Sequence, residues 1–552
     1  MIGTNMKQQL ENIILSAFNK AIEKGDLKSP NKAQPVIEKP RQESHGDFST
    51  NIAMASASIQ KMAPGKIAGI LVENIDDPNR IIEKTEIAGP GFINFYLTSD
   101  AWLSKLNSIH KQRERYGSSN LGNNEPVLVE FVSANPTGPL HIGHGRGAAV
   151  GDSIASILSF SGYDVKREYY INDSGRQIHT LGRSVYLRYC ELLGQSIEYP
   201  TDCYQGDYIR ELAQQEKDAL QNMEADEAIP ACAKKAAHQI LDGIKSDLID
   251  FRVTFDNWFS EQSLYDSGKI KNTFQWARKN DLTYDKDGAV WFRTESWGDE
   301  KDRVICKKDG QNTYFASDIA YHKDKFDRGF RRLIEVWGAD HHGYIERLSA
   351  AIESFGKKRD QFDVVLVQLV NLLRNGEPVA MSTRAGEFVT LKDVVEEVGT
   401  DACRFLFLMR HHDSPLDFDL ELAKKQSNDN PVYYVQYVHA RISSILKKAS
   451  QENMDNTCDT LNALNTSDDL RLIKSLTEFP ETVKTSAIRL EPHRVAYYLT
   501  HLASLFHTYY NQNRVLSDDQ SLTNARLFLV KAVQTVIRNG LTLLGVNAPE
   551  SM

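Results

Sequence analysis

Residues 127–160 set the strongest constraint on what this chain can fold into. An apolar run, VLVEFV (127–132), leads into NPTGPLHIGHGRGAAVGD (135–152), which holds five glycines, two prolines and two histidines, and then into a helix-like stretch reaching about Phe160. Val150, Ile154, Ile157 and Leu158 share one face of that stretch, as a helix packed on a sheet requires. A second strand-like run, VKREYYI (165–171), completes a βαβ unit. The pattern returns later: RLIEVW ends in GADHHG, a helix presents Ile345, Leu348, Ile352 and Phe355, and DVVLVQLV follows as a strand. Two such halves predict a Rossmann-like, doubly wound parallel sheet, which takes its ligands beyond the carboxyl ends of the strands. Both histidine-bearing turns fall there.

The 552 residues exceed one domain. Residues 1–112 read as an N-terminal α+β domain, with an amphipathic helix carrying Leu10, Ile13, Ile14, Phe18 and Ile22. The α/β domain spans 122–400 and holds a mainly helical, acidic insertion at about 180–280 between the two halves of the sheet. A connecting segment covers 401–430, and 431–552 reads as an all-α bundle opened by Asn430 as cap and Pro431 at the first helical position. No run of eighteen apolar residues occurs, and the N-terminus lacks the features of a secretory signal, so no membrane partner and a cytoplasmic location are expected. The six cysteines are scattered without a CxxC pair, so neither a structural zinc nor a disulfide framework is expected. A net charge of −9 leaves RNA binding open, because a local basic patch can act inside an acidic chain.

His141 and His144 admit three readings. A metal would need a third protein ligand, and no HExxH-like partner is present. Packing is the second. Phosphate binding is the third: a helix N-terminus offers unpaired N–H groups, and Gly143, Gly145 and Gly147 let a ligand approach the backbone. Glu130 interrupts an apolar strand, so it is either buried with a partner or faces water at the strand end. Tyr314, Asp318 and Tyr321 stand at i, i+4 and i+7 on one helical face, as core aromatics with a surface charge or as a site. Asp340, His341 and His342 end a strand at the ligand edge, although capping the next helix would also explain Asp340. After the Asn-Gly turn at 375–376 comes a small-residue loop, Met381 to Gly386, with Arg384 its only cation, and then a helix that Thr390 can cap with Asp393 three residues on.

These pieces resemble the class I aminoacyl-tRNA synthetases, whose two signatures are HIGH and KMSKS on a Rossmann-like sheet. HIGH stands at 141–144, and AMSTR at 380–384 stands in the place of KMSKS. The resemblance to arginyl-tRNA synthetases covers nearly the whole chain: HGDFSTNIAM, GPGFINFYL, EFVSANPTGPLHIGHGRGA, YYVQYVHARISSIL and LLGVNAPESM occur in that family's order. It implies activation of arginine by ATP, with magnesium as the nucleotide's partner and no protein-bound metal, then transfer to the tRNA for arginine. Activation is tRNA-dependent in that family, and a monomer is its usual state. Carried over by motif, Thr137, Gly138, Pro139, Leu140, His141, Gly143, His144, Gly145 and His341 would meet ATP. Glu130, Asn135, Glu261, Tyr314, Asp318, Tyr321 and His341 would surround arginine, and Tyr437 and Arg441 would meet tRNA. Met381, Ser382 and Arg384 would join His141 and His144 in catalysis. One departure stands out: Ala380 and Thr383 replace the lysines of the second signature, leaving Arg384, with Lys392 downstream.

Overall fold

Strand β1 (Pro126–Glu130) lies at the centre of a parallel sheet, and everything that positions the site is built outward from it. Helix α1 (Ile142–Phe160) returns the chain to β2 (Asp164–Ile171), beside which runs the short edge strand β3 (Asn257–Ser260). On the other side of β1 stand β4 (Arg332–Gly338) and β5 (Phe362–Val367), giving the order β5-β4-β1-β2-β3 with every neighbour parallel. The order reverses direction at β1, which makes the carboxyl ends of β1 and β4 the place where a crevice opens. Helix α2 (Tyr314–Asp327) precedes β4, and α3 (Ile345–Ser354) joins β4 to β5. The coordinates are a computed structural model that describes residues 6–28, 34–221, 223–379, 389–452, 454 and 461–552.

Glycines in α1 serve the packing. A Cβ on Gly151 would meet the Phe131 ring at 2.3 Å, and one on Gly145 would meet Leu391 Cδ1 at 2.5 Å, so both let neighbours close on the helix. The open approach expected for a ligand holds at Gly147, where a Cβ would have no heavy atom within 4 Å.

Two expectations change in detail. The region expected as a helical insertion between the sheet halves ends in β3, so the insertion lies within the first half. Helices Arg176–Leu192, Asp207–Gln215 and Ala225–Asp250 close around their own core of Leu181, Val185, Ile209, Leu212 and Cys232. The run DVVLVQLV is not one strand. It breaks after Val367, and Val370–Arg374 pairs instead with Leu416–Asp419 and Glu377–Pro378 in a separate small sheet. The Asn375-Gly376 turn of that hairpin has φ of 55° and 81°, the left-handed conformation the pair favours.

Contacts divide the chain into two compact units, 1–116 with 442–478 and 504–536, and 117–441 with 479–503 and 537–552. The helices after 430 thus contribute to both. The first unit holds a four-stranded antiparallel sheet (Ile37–Glu38, Phe48–Thr50, Phe92–Leu97, Ile82–Ala88 in spatial order), with helix Met6–Glu23 burying Leu10, Ile14 and Phe18. In the second, helix Pro431–Gln451 begins as expected: Asn430 Oδ1 accepts the Val432 N–H at 3.2 Å. Among the described residues no helix is long and apolar enough to cross a membrane.

Candidate active site

The chain leaves β1 through two strained residues. Val132 and Ser133 have φ of 68° and 40°, a region that costs a β-branched residue dearly, and the turn holds them by hydrogen bonds. Ser133 Oγ donates to Glu130 Oε1 at 2.9 Å and accepts the Tyr170 N–H at 3.1 Å, while Tyr169 Oη donates to the Ala134 carbonyl at 2.8 Å. Asn135 Nδ2 donates to Gln177 Oε1 at 2.6 Å, and Tyr208 Oη donates to the Thr137 carbonyl at 2.7 Å.

His141 then caps α1. Its Nδ1 accepts the N–H groups of Gly143 at 3.1 Å and His144 at 3.4 Å, and His144 Nδ1 accepts the His141 N–H at 3.2 Å. The two rings stack with centroids 3.7 Å apart. Because each Nδ1 must accept, each neutral ring carries its proton on Nε2 and keeps that N–H for another acceptor. Burial and the neighbouring His141 push His144 down to about 3, and desolvation holds His141 below its usual range. This end of the site is therefore uncharged and rich in N–H donors.

Across from it, Leu140 accepts the Leu391 N–H at 2.7 Å, and His141 and Thr390 face each other as an isolated β-bridge. Thr390 opens helix α4 (Leu391–Val398) with the expected capping box: its Oγ1 accepts the Asp393 N–H at 3.0 Å, and Asp393 Oδ2 accepts the Thr390 N–H at 2.9 Å. The helix that follows AMSTR is thus joined to the HIGH turn. Met381, Ser382 and Arg384, with Ala380 and Thr383, lie outside the described residues. Lys392, on the first turn of α4, is exposed, with its Nζ 4.0 Å from Glu396.

The other end of the site is anionic. In register across three strands stand Glu335 (β4), Glu130 (β1) and Glu168 (β2), all buried. Cations from α2 and its end meet them. Lys325, fully buried, pairs with Glu130 Oε2 at 2.5 Å and with Glu335. Arg328 pairs with both Glu168 oxygens, at 2.6 and 2.8 Å, and Tyr321 Oη donates to Glu168 at 2.7 Å. His322 Nδ1 lies 2.8 Å from the Asp318 carbonyl and Nε2 lies 2.6 Å from Glu335 Oε1, so both ring nitrogens face oxygen partners. The three carboxylates are thus met by Lys325, Arg328 and the His322 ring, the kind of pairing under which charges tolerate burial.

Asp318 differs. Among the described residues no cation is ion-paired with it; Tyr344 Oη donates to its Oδ2. Burial, offset only in part by Tyr344 and His322, pushes it up to about 6. Glu261, buried at the end of β3, accepts from Ser174 Oγ at 3.0 Å and is likewise raised by desolvation. Tyr314, on the first turn of α2, is 66% exposed, whereas Tyr321 is buried with its hydroxyl engaged by Glu168, so the predicted face runs from solvent into the core. His341 is exposed, 3.4 Å from Asp340, and Asp340 does not cap the following helix, whose N-cap is Tyr344 without a side-chain bond. Arg441 lies 4.8 Å from the Tyr437 ring centroid, and that ring stacks on Tyr433.

Reading by residue type missed Glu168, Glu335, Lys325, His322, Arg328 and Tyr344. A signal existed: Glu335 interrupts its apolar strand run as Glu130 does, and Lys325 falls on the Tyr314, Asp318, Tyr321 face, whereas Glu168 follows Lys166 and Arg167 and does not stand out. Elsewhere in this unit, ligand atoms of His411, Glu491 and His493 lie within 4.8 Å of one another, but His411 Nδ1 accepts the Asp413 N–H and Glu491 pairs with Arg494, so hydrogen bonds already engage two of the three.

Three family models match in chain order: the arginyl tRNA synthetase N terminal domain over 8–97, the catalytic domain of tRNA synthetases class I (R) over 105–414, and the DALR anticodon binding domain over 435–552. The arginine–tRNA ligase of Desulfosudis oleivorans is 58% identical over 558 residues, spanning 99% of this chain and 100% of its own. The chain belongs to the arginyl-tRNA synthetases. The arginine–tRNA ligase of Syntrophotalea carbinolica is 52% identical over 559 residues, 99% of this chain and 100% of its own. In fold, the Thermus thermophilus arginyl-tRNA synthetase superposes with a TM-score of 0.78 at 23% identity, covering 99% of this chain and 100% of that one. This synthetase is accordingly an aminoacyl-tRNA ligase, with its class I signature at the uncharged end of the crevice and its buried carboxylates at the other.

Proposed function

We propose that this synthetase activates L-arginine with MgATP and transfers the arginyl group to the 3′ end of its tRNA. The observation that carries the substrate is Asp318, a carboxylate desolvated at the sheet's ligand edge and met by a hydroxyl donor where its neighbours on the sheet are each met by cations. A guanidinium supplies what that environment asks for, a planar, permanent cation able to bind a carboxylate in a bidentate fork. Asp318, Glu261 and Tyr314 take the side chain, with Tyr321 as the buried wall beneath; Glu130 and Asn135 take the α-amino head. His341 stands between amino acid and adenosine. The Nε2–H groups of His141 and His144, with the turn of Thr137 to Leu140 and Gly143 to Gly145, take the phosphates.

The attacking α-carboxylate is already ionised, so activation requires no general base. It forms a bond to the α-phosphorus as the bond to the bridging oxygen breaks, and pyrophosphate leaves with the electron pair. Neutral imidazole donors follow that growing charge without first being deprotonated, and catalysis rests on position and electrostatics. In the second step a hydroxyl of the terminal ribose attacks the arginyl carbonyl, its proton is lost, and AMP departs. Met381, Ser382 and Arg384 close on the phosphates, and Arg384 takes over for the missing lysines. Magnesium travels with the nucleotide; Tyr437 and Arg441 meet the tRNA; and the chain acts as a cytoplasmic monomer.

ATP–pyrophosphate exchange, run across the amino acids with and without tRNA, tests this. Exchange with arginine alone, dependent on tRNA, is the expected result. Exchange with a different amino acid overturns the substrate, and no exchange overturns the activity.

A further inference from the structure

The buried row Glu335–Glu130–Glu168 is served unequally. Each outer carboxylate has a side-chain partner of its own, His322 on Glu335 and Arg328 on Glu168. The middle one, Glu130, has Ser133 Oγ and a single cation, Lys325, which it shares with Glu335. Neighbouring parallel strands bring like charges to within roughly 5 Å, and two carboxylates at that distance disfavour each other's ionisation. Lys325 reaches this position because it lies one turn beyond Tyr321 on α2, with its Nζ 4.1 Å from the Tyr321 ring centroid and no solvent exposure.

We propose that Lys325 is a positioning residue for arginine binding: by bridging Glu130 and Glu335 it keeps the Glu130 carboxylate charged and fixed at the end of its strand, ready for the substrate's ammonium group. This rests on the reading of Glu130 as the partner of the α-amino head. Lys325 itself touches no substrate. Burial already holds Glu130 above the usual carboxylate range against the opposing charge of Lys325; without that cation it stands between two carboxylates with only the Ser133 hydroxyl and nearby Tyr321, and is driven further toward its protonated form. The outer pairs stay balanced, which confines the damage to the middle of the row.

The test is Lys325→Met, followed by tRNA-dependent pyrophosphate exchange from about pH 7 to pH 8.5. The arginine KM should rise at least about tenfold at the lower pH while the ATP KM stays within about threefold, and it should recover as pH rises. The sign follows from the acid: Glu130 raised by losing its cation regains its charge at higher pH, and a purely structural defect has no reason to recover. An unchanged arginine KM, or equal and pH-independent rises for both substrates, overturns the proposal. Should Lys325→Met fail to fold, Lys325→Met with Glu335→Gln removes one repelling carboxylate along with the cation. That variant should fold and show a smaller, pH-recoverable rise, and a wild-type, pH-independent arginine KM overturns the proposal. Glu130→Gln separates the two layers. If it leaves the arginine KM unchanged, the reading of Glu130 fails; if it raises the KM while Lys325→Met does not, only the role of Lys325 fails.

Discussion

The two ends of the crevice answer pH in opposite ways from their residue types. At the HIGH turn stand imidazoles, which ordinarily titrate near neutrality, yet interlocked capping and desolvation hold them neutral, His144 down to about 3. At the other end stand carboxylates, ordinarily ionised at any physiological pH, yet Asp318 is pushed up to about 6. The difference teaches that local partners, not side-chain identity, set which end switches. One end offers neutral N–H donors; the other offers buried carboxylates, of which Asp318 has no ion-paired cation among the described residues.

The sharpest way to break this contrast is Asp318→Ala. With the carboxylate gone, the arginine KM should rise on the order of 10²–10³-fold and the ATP KM within about threefold, measured by tRNA-dependent exchange. Equal effects on both substrates would take Asp318 out of the arginine end. His144→Ala should lower kcat by roughly 10²-fold, the scale of losing one preorganised donor, with an unchanged circular dichroism melt. An unaltered rate would return the ring to a capping role alone.

Lowering the pH separates the ends without mutation. If the guanidinium pairs with ionised Asp318 as proposed, the arginine KM should climb by about tenfold per unit below about pH 6, and Asp318→Asn should flatten that slope. The groups facing Asp318 are Tyr344, His322, Glu335 and Glu261. A KM that does not depend on pH through this range contradicts the assignment. The smallest effect belongs to the cap that joins the AMSTR side to the HIGH turn. Thr390→Ala should cost about 1 kcal/mol of local stability in α4, seen as faster amide exchange from Leu391 to Val398, with little change in either KM.

Much of this was readable because it is local. The strand-turn-helix at 126–160 announces itself through apolar periodicity and a glycine-bearing turn, and the caps at Thr390 and Asn430 involve residues two or three positions apart. Glu130 is visible as a charge inside an apolar run. What the row of carboxylates required was not visible: Lys325 lies 195 positions from Glu130, and only the strand order β4-β1-β2 sets Glu335 and Glu168 on either side of it. The four-residue edge strand Asn257–Ser260 is too short to stand out from the helical region before it, and the apolar run 363–370 conceals a change of sheet.

Periodicity, capping and motif spacing act over a few residues, so the class of fold, the family and the strand-turn-helix at the sheet's ligand edge were legible in the sequence. Tertiary structure alone decided which buried charges are balanced and which titrate, because desolvation and ion pairing depend on groups brought together from distant strands, and no run of neighbouring residues encodes the dielectric around them.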